Sequence, residues 1–113
     1  MKFSIYSNDL LVGHSELESG DPPMGVAFGA FEPAVAYEAI RQECCSNHAD
    51  QSLLNLSART PNGVVIPCIG VGILDYSNEV EESFIEVNVL GIGYPLYGEL
   101  FPNHVSAYEH QFK

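Results

Sequence analysis

The sequence predicts an α+β domain: a mostly antiparallel sheet of about five to six strands, one main helix over about 33–47 and a short C-terminal helix over about 103–112. Three observations lead there. Short β-rich runs alternate with turn residues such as Asn8-Asp9 and Pro61-Asn62-Gly63. A single stretch, 34–47, combines helix formers with Ala36, Ile40 and Cys44 four apart. With 113 residues, 46% of them apolar, the chain is long enough to build one core over residues 1–113 without metals or disulfides as staples.

The elements follow in order. Runs 2–7 and 10–14 flank Asn8-Asp9, residue types that tolerate the left-handed backbone of a two-residue hairpin. In that hairpin Phe3 and Ile5 would share a face with Leu10, Val12 and His14. The stretch 15–23 is acidic, ends in Asp21-Pro22-Pro23 and predicts a loop. Over 24–31 a strand is expected, with Met24, Val26 and Phe28 on one side and Gly25, Ala27 and Gly29 on the other, a small side that invites close approach of another backbone. Pro33 suits the first turn of the main helix, and Ser46-Asn47 its end. Residues 52–58 and 64–66 read as a second hairpin around Pro61-Asn62-Gly63. The runs 64–74 and 83–92 are the most β-rich and are assigned to the sheet centre, joined by the acidic connector 75–82.

Their register can be expected from volume. With Gly70 opposite Val87 and Gly72 opposite Ile85, each glycine faces a bulky residue on a core face. The other face then carries Val65, Ile69, Val71 and Ile73 against Ile92, Leu90, Asn88, Glu86 and Phe84, an apolar surface interrupted by two polar residues and so partly exposed. A slip by one residue would exchange the two faces. In the aromatic C-terminal part, Val105, Tyr108 and Phe112 share one side of the last helix and would close it over the core.

Charge narrows the function classes. Fifteen acids stand against four bases, a net charge of -11. Residues 1–57 carry eight acids and two bases and residues 58–113 carry seven and two, so the excess belongs to the folded body and not to a tail. Nucleic acid and anionic membranes are poor partners for a chain with so few cations. A basic protein partner, or solubility alone, is what such a charge favours. The N-terminal run lacks the basic and apolar segments of a secretory signal, and adjacent Cys44 and Cys45 with an odd Cys68 suggest reduced thiols, so a cytoplasmic location is expected.

No stretch spells out a reaction. Cys44 and His48, four apart on the expected helix, could pair as thiolate and base, but Cys44 aligns with Ile40 on the apolar side and reads as a buried thiol. His14, Glu16 and Glu18 alternate, yet no paired His or Cys spacing supports a metal, and no cofactor is called for. His104 and His110 fall on different sides of a helix. The two Gly-x-Gly pairs at 70–72 and 91–93 do not continue into a phosphate loop.

The function expected is a non-enzymatic cytoplasmic protein-binding domain. Its acidic connector and half-apolar face, represented by Asp75, Glu79, Glu81, Glu82, Phe84, Glu86 and Asn88, would meet a basic protein partner. In size and acidity the chain resembles the immunity proteins that neutralise bacterial toxins, a resemblance of class that rests on no residue pattern and carries over no functional residue. A second reading is a small hydrolase or ligand-binding domain with a cleft lined by Tyr94, Tyr97, His104 and Tyr108. A third is an accessory protein that homodimerises through a sheet edge or face.

Crowded carboxylates that repel one another have raised folded-state pKa values, so stability should rise as pH falls from neutral toward the carboxylate range, and screening salt should act in the same direction. The expected result is a melting temperature higher at about pH 6 than at about pH 7.5 in dilute buffer, and higher again with added salt, measured by calorimetry. A melting temperature that falls with either change contradicts it.

Overall fold

Apolar residues at alternate positions need a second layer to cover them, and here two sheets and the helical segments contribute to one core. The computed structural model describes residues 1–77 and 84–111. Among them are β1 (Phe3–Ser7), β2 (Leu10–Ser15), β3 (Ser19–Asp21), β4 (Val26–Ala30), β5 (Glu32–Pro33), β6 (Leu56–Arg59), β7 (Gly70–Asp75) and β8 (Ile85–Leu90). The helices are α1 (Arg41–Ser46), α2 (Leu96–Leu100) and α3 (Pro102–His110). The strands form two antiparallel four-stranded sheets, ordered β5-β2-β1-β6 and β3-β4-β8-β7. Phe3, Ile5, Val12 and Ala58 from the first sheet and Ala27, Ile73, Val87 and Val89 from the second share one core with Tyr37, Cys44, Tyr97 and Phe101. The α+β class stands, but the single sheet of five to six strands is replaced by two sheets.

The first hairpin forms as expected, with Asn8 in the left-handed region at φ 54°. Its face assignment changes past a bulge: Ile5 pairs with Gly13 and Tyr6 with Leu11, leaving Val12 without an opposite residue. Beyond the bulge the phase is inverted. Phe3 stands opposite Ser15, and His14 pairs with Ser4 on the outer side, not beside Phe3 and Ile5. Gly13 permits this packing, since a β-carbon there would collide with the Phe31 ring.

The expected loop over 15–23 contains the short strand β3 and runs into a 3₁₀ turn, Pro22–Met24. The strand expected over 24–31 is β4, and its small side faces inward: Ala27 and Gly29 are buried while Val26 and Phe28 are half-exposed. The main helix is shorter than its pattern. Glu32–Pro33 pairs with β2, Ala34 N–H still donates to Val12 O at 2.8 Å, and the chain then makes a 3₁₀ segment, Val35–Ala39, before α1. Attachment to β2 consumes the residues of the first helical turn. Ile40, at φ -119°, breaks the two helical pieces apart, and Tyr37, Ile40 and Cys44 supply the buried side.

The turn at Pro61-Asn62-Gly63 returns the chain through one bridge, Arg59 to Val65, with Ile66 N–H donating to Ala58 O at 2.9 Å. Pro67 has no N–H to offer a ladder, so the run 64–74 yields a strand only from Gly70 onward. The β7–β8 register also differs. Gly70 stands opposite Leu90 and Gly72 opposite Asn88, three places from the expected pairing. An odd shift exchanges one strand's faces: buried Ile73 and half-buried Val71 join Val87 and Val89 on the inner side, and Gly70, Gly72 and Leu74 move outside. The expected volume compensation by Val87 and Ile85 does not occur, because turning four β-branched side chains inward together, three of them buried and Val71 half-buried, excludes more apolar area from water. The C-terminal helix starts at Pro102, one residue before its expected start, and α2 precedes it.

One side chain covers the middle of the β7 edge. Gln51, 8% exposed, donates from Nε2 to Ile73 O at 2.6 Å and accepts from Ile73 N–H at Oε1 at 2.7 Å. It satisfies both backbone groups as a neighbouring strand would. Gln51→Ala leaves both buried without partners and should lower the unfolding free energy by roughly 3 kcal/mol in urea denaturation. A loss below about 1 kcal/mol would show that water replaces the amide.

Candidate functional site

Alternation along β8 decides which side chains a partner could reach. Val87 and Val89 point into the core, so Phe84, Glu86, Asn88 and Leu90 share the outer side. Across the ladder, Glu86 lies between Ala30 of β4 and Leu74 of β7, and Asn88 between Phe28 and Gly72. Tyr76 stacks on Phe84 with ring centroids 6.2 Å apart and 17° between planes. Phe84 and Leu90 remain 47% and 43% exposed. A β-carbon at Gly70 would meet nothing within 4 Å, so no described part of the chain covers that end of the face.

The outer face of the second sheet is therefore broad, half-apolar and marked by Glu86 and Asn88. Phe84, Glu86 and Asn88 lie on it, as the sequence placed them on one face, but their neighbours are Tyr76, Leu74 and Gly72, not Val71 and Ile73. Glu79, Glu81 and Glu82 lie outside the described residues.

Asp75 is not on this surface. It ends β7 on the inner side with its side chain fully buried. One carboxylate oxygen, Oδ2, accepts from Tyr37 Oη at 2.6 Å and Arg41 Nη1 at 3.4 Å; the other, Oδ1, accepts from Ser77 N–H at 2.9 Å and from its hydroxyl. Desolvation pushes its pKa up, but the hydrogen bonds from Ser77, Tyr37 and Cys45 outweigh it and hold the carboxyl below its ordinary 3.8. Glu32, bonded to Lys2, and Asp50, bonded to Ser52, also shift downward. At these three acids, local donors reverse the direction expected from repulsion.

The described cations are all engaged. Lys2 pairs with Glu32 at 2.8 Å, Arg41 with Glu38 at 2.8 Å and with Asp75, and the Arg59 guanidinium lies 3.9 Å from the centre of the Tyr6 ring. None of them stands on the outer face of the second sheet.

The four residues of the expected cleft do not line one cavity. Tyr97 is fully buried, its hydroxyl donates to Val26 O at 2.8 Å, and burial pushes its pKa up to about 12. Tyr94 donates to Pro22 O at 3.0 Å. His104 holds Leu17 O at 2.8 Å through Nε2 and stacks on Phe101 with 4° between planes. Only His104 and Tyr108 of the four border an open groove, of about 580 Å³, between β3 and α3.

The thiol chemistry considered from sequence finds no support in the geometry. Desolvation raises Cys44 to about 11, which disfavours a thiolate, and His48 lies beyond α1 with its ring 5.0 Å from that of Tyr76. All three cysteines are free. Among the described residues, no three or more His, Cys, Asp or Glu side chains are placed to hold a metal, and no helix is long and apolar enough to cross a membrane. The chain matches no protein-family model, no curated protein and no solved structure.

What sequence reasoning missed is that Phe28, Ala30 and Leu74 share one surface with Asn88 and Leu90. The alternation of β4 marks Phe28 as one-sided, but only the order β3-β4-β8-β7 puts it beside Asn88.

The lowered pKa of Asp75 gives a signed pH dependence. Its contribution is complete above the unfolded value near 3.8 and is lost as pH falls through the lower folded value. Asp75→Asn should destabilise the protein by about 2 kcal/mol at neutral pH and flatten the fall in unfolding free energy below about pH 4, measured by urea titration across pH. An unchanged acid limb in the variant would show that other groups govern it.

Proposed function

We propose that the protein is a non-enzymatic binding domain that docks a basic protein through the outer face of the β3-β4-β8-β7 sheet. The observation that carries this reading is an exposed, half-apolar face with a carboxylate and no described cation, on a chain of net charge -11. Apolar side chains such as Phe84, Leu90 and Phe28 offer buried contact, while the acids steer approach and select against anionic partners. Glu86 and Asn88 sit centrally enough to set register with the partner. Glu79, Glu81 and Glu82 are assigned a steering role from their sequence positions beside Phe84. Asp75 is left out of the contact, because its carboxylate is engaged inside the fold.

Small size and acidity fit an inhibitor that covers a basic surface, as an immunity-type protein covers a toxin. The three free thiols fit a reducing compartment, and the cytoplasm is proposed as the place of action.

The test is affinity capture from a lysate of the source organism at about 0.05 M and about 0.3 M salt. Wild type and Asp9→Lys, a change on the exposed hairpin turn, should retain the same basic protein at low salt and release most of it at high salt. The face variant Glu86→Lys with Asn88→Arg should bind it at least about tenfold more weakly while melting within a few degrees of wild type. Equal retention by the face variant, indifference to salt, or a solution mass showing a homodimer that buries Phe84 would overturn the proposal.

A further inference from the structure

Beside the docking face lies the groove between β3 and α3, of about 580 Å³ and bordered by Glu18, Ser19, Asp21, Phe28, His104 and Tyr108 among others. Its volume falls in the range of clefts that hold small ligands, about 300–1,000 Å³, which leaves ample room for one long side chain. We infer that this groove seats an arginine side chain of the basic partner, an inference that rests on the docking face proposed above.

Continuity is the first support. Phe28 borders the groove and also stands opposite Asn88 in the sheet, so an object lying on the face reaches the groove without leaving the surface. Charge complementarity is the second. Glu18 and Asp21 are exposed carboxylates, and no Lys or Arg lines the groove. Neither acid forms an ion pair with a described cation, whereas Glu32, Glu38 and Asp75 do.

The groove is also organised before anything enters it. Glu18 Oε2 accepts the Ala30 N–H at 2.8 Å, and a β-carbon at position 29 would collide with that carboxylate, so Gly29 leaves the space the acid occupies. On the opposite wall His104 is fixed by its bond to Leu17 O and its stack on Phe101. A groove lined by both a fixed carboxylate and an aromatic ring favours arginine over lysine. The guanidinium is planar, can donate two parallel hydrogen bonds to a carboxylate and can stack on a ring, and it sheds water more readily than an ammonium.

The probe is N-acetyl tetra-arginine amide, compared with N-acetyl tetra-lysine amide of equal charge, titrated into ¹⁵N-labelled full-length protein at low salt. Arginine-peptide shifts should concentrate at Ser19, Asp21, Phe28 and the last turns of α3. The arginine peptide should bind at least about fivefold more tightly than the lysine peptide. Asp21→Asn should weaken it at least about threefold, while Asp9→Asn, the same charge change on the distant hairpin turn, leaves it within a factor of about 1.5. Equal affinity for the two peptides, equal weakening by the two variants, or shifts spread over all exposed acids would overturn the assignment. If that occurs while capture still depends on Glu86 and Asn88, the groove fails and the docking face survives. If capture fails while arginine selectivity persists, the docking face fails and the groove binds arginine without serving that partner, which overturns the assignment to it.

Discussion

The pairing of β7 with β8 is the constraint on which the architecture depends. With Val71 opposite Val89 and Ile73 opposite Val87, three buried β-branched side chains and the half-buried Val71 face the core from one pair of strands. Period-two alternation then leaves no freedom for the rest. Phe84, Glu86, Asn88 and Leu90 must face outward, and so must Gly70, Gly72 and Leu74. The accessible face is the complement of the core, produced by the same register. A slip by one residue would bury Glu86 and Asn88 without partners and expose the valines, a penalty of several kcal/mol in polar desolvation alone.

Two polar devices fix the ends and edge of that ladder. Gln51 satisfies the outward N–H and C=O of Ile73, which occupies the middle of the strand edge that another chain could pair with. Asp75, one step beyond the last inward hydrophobe, joins Tyr37 from the 3₁₀ segment, Arg41 from α1 and Ser77 from the start of the connector. Its buried charge is tolerable because donors surround it, and those donors tie three separate elements to the end of β7. The acid connector thus begins from a fixed point, with Tyr76 stacked on Phe84 beside it. Stability and surface therefore share their supports: loosening the inner knot would disturb the edge of the face.

Much of this was legible in the residues, and the failures have physical reasons. The first hairpin, the strand at β4 and the last helix follow from local signals, since turn chemistry and alternation act over a few residues. The main helix is shorter than its apolar spacing predicts, because that spacing continues through residues that are bound instead to β2, a tertiary demand invisible in a single segment. Phase inversion past Val12 reflects a bulge, which sequence alternation cannot announce. Placing Gly70 and Gly72 against bulky partners optimised one pair of strands alone. The fold instead optimised the whole core, where Ala27 and Gly29 of β4 already supply the small surface. Phe84, Glu86 and Asn88 were still found together, because residues two apart on one strand stay on one side whatever their partners. Asp75 shares the sequence neighbourhood of the connector but falls on the other parity of its strand, and burial followed parity, not composition.

The most direct test of this account is the strand register itself in solution. Ile73 directs its N–H and C=O to Gln51, so Ile73–Val87 and Val71–Val89 are the closely spaced, non-hydrogen-bonded pairs, with Cα atoms about 4.5 Å apart. Nuclear Overhauser contacts between their α-protons should be strong. Contacts from Val71 to Glu86 in their place would put the carboxylate opposite the core valines, and the core, the outer face and the binding role derived from them would all be contradicted.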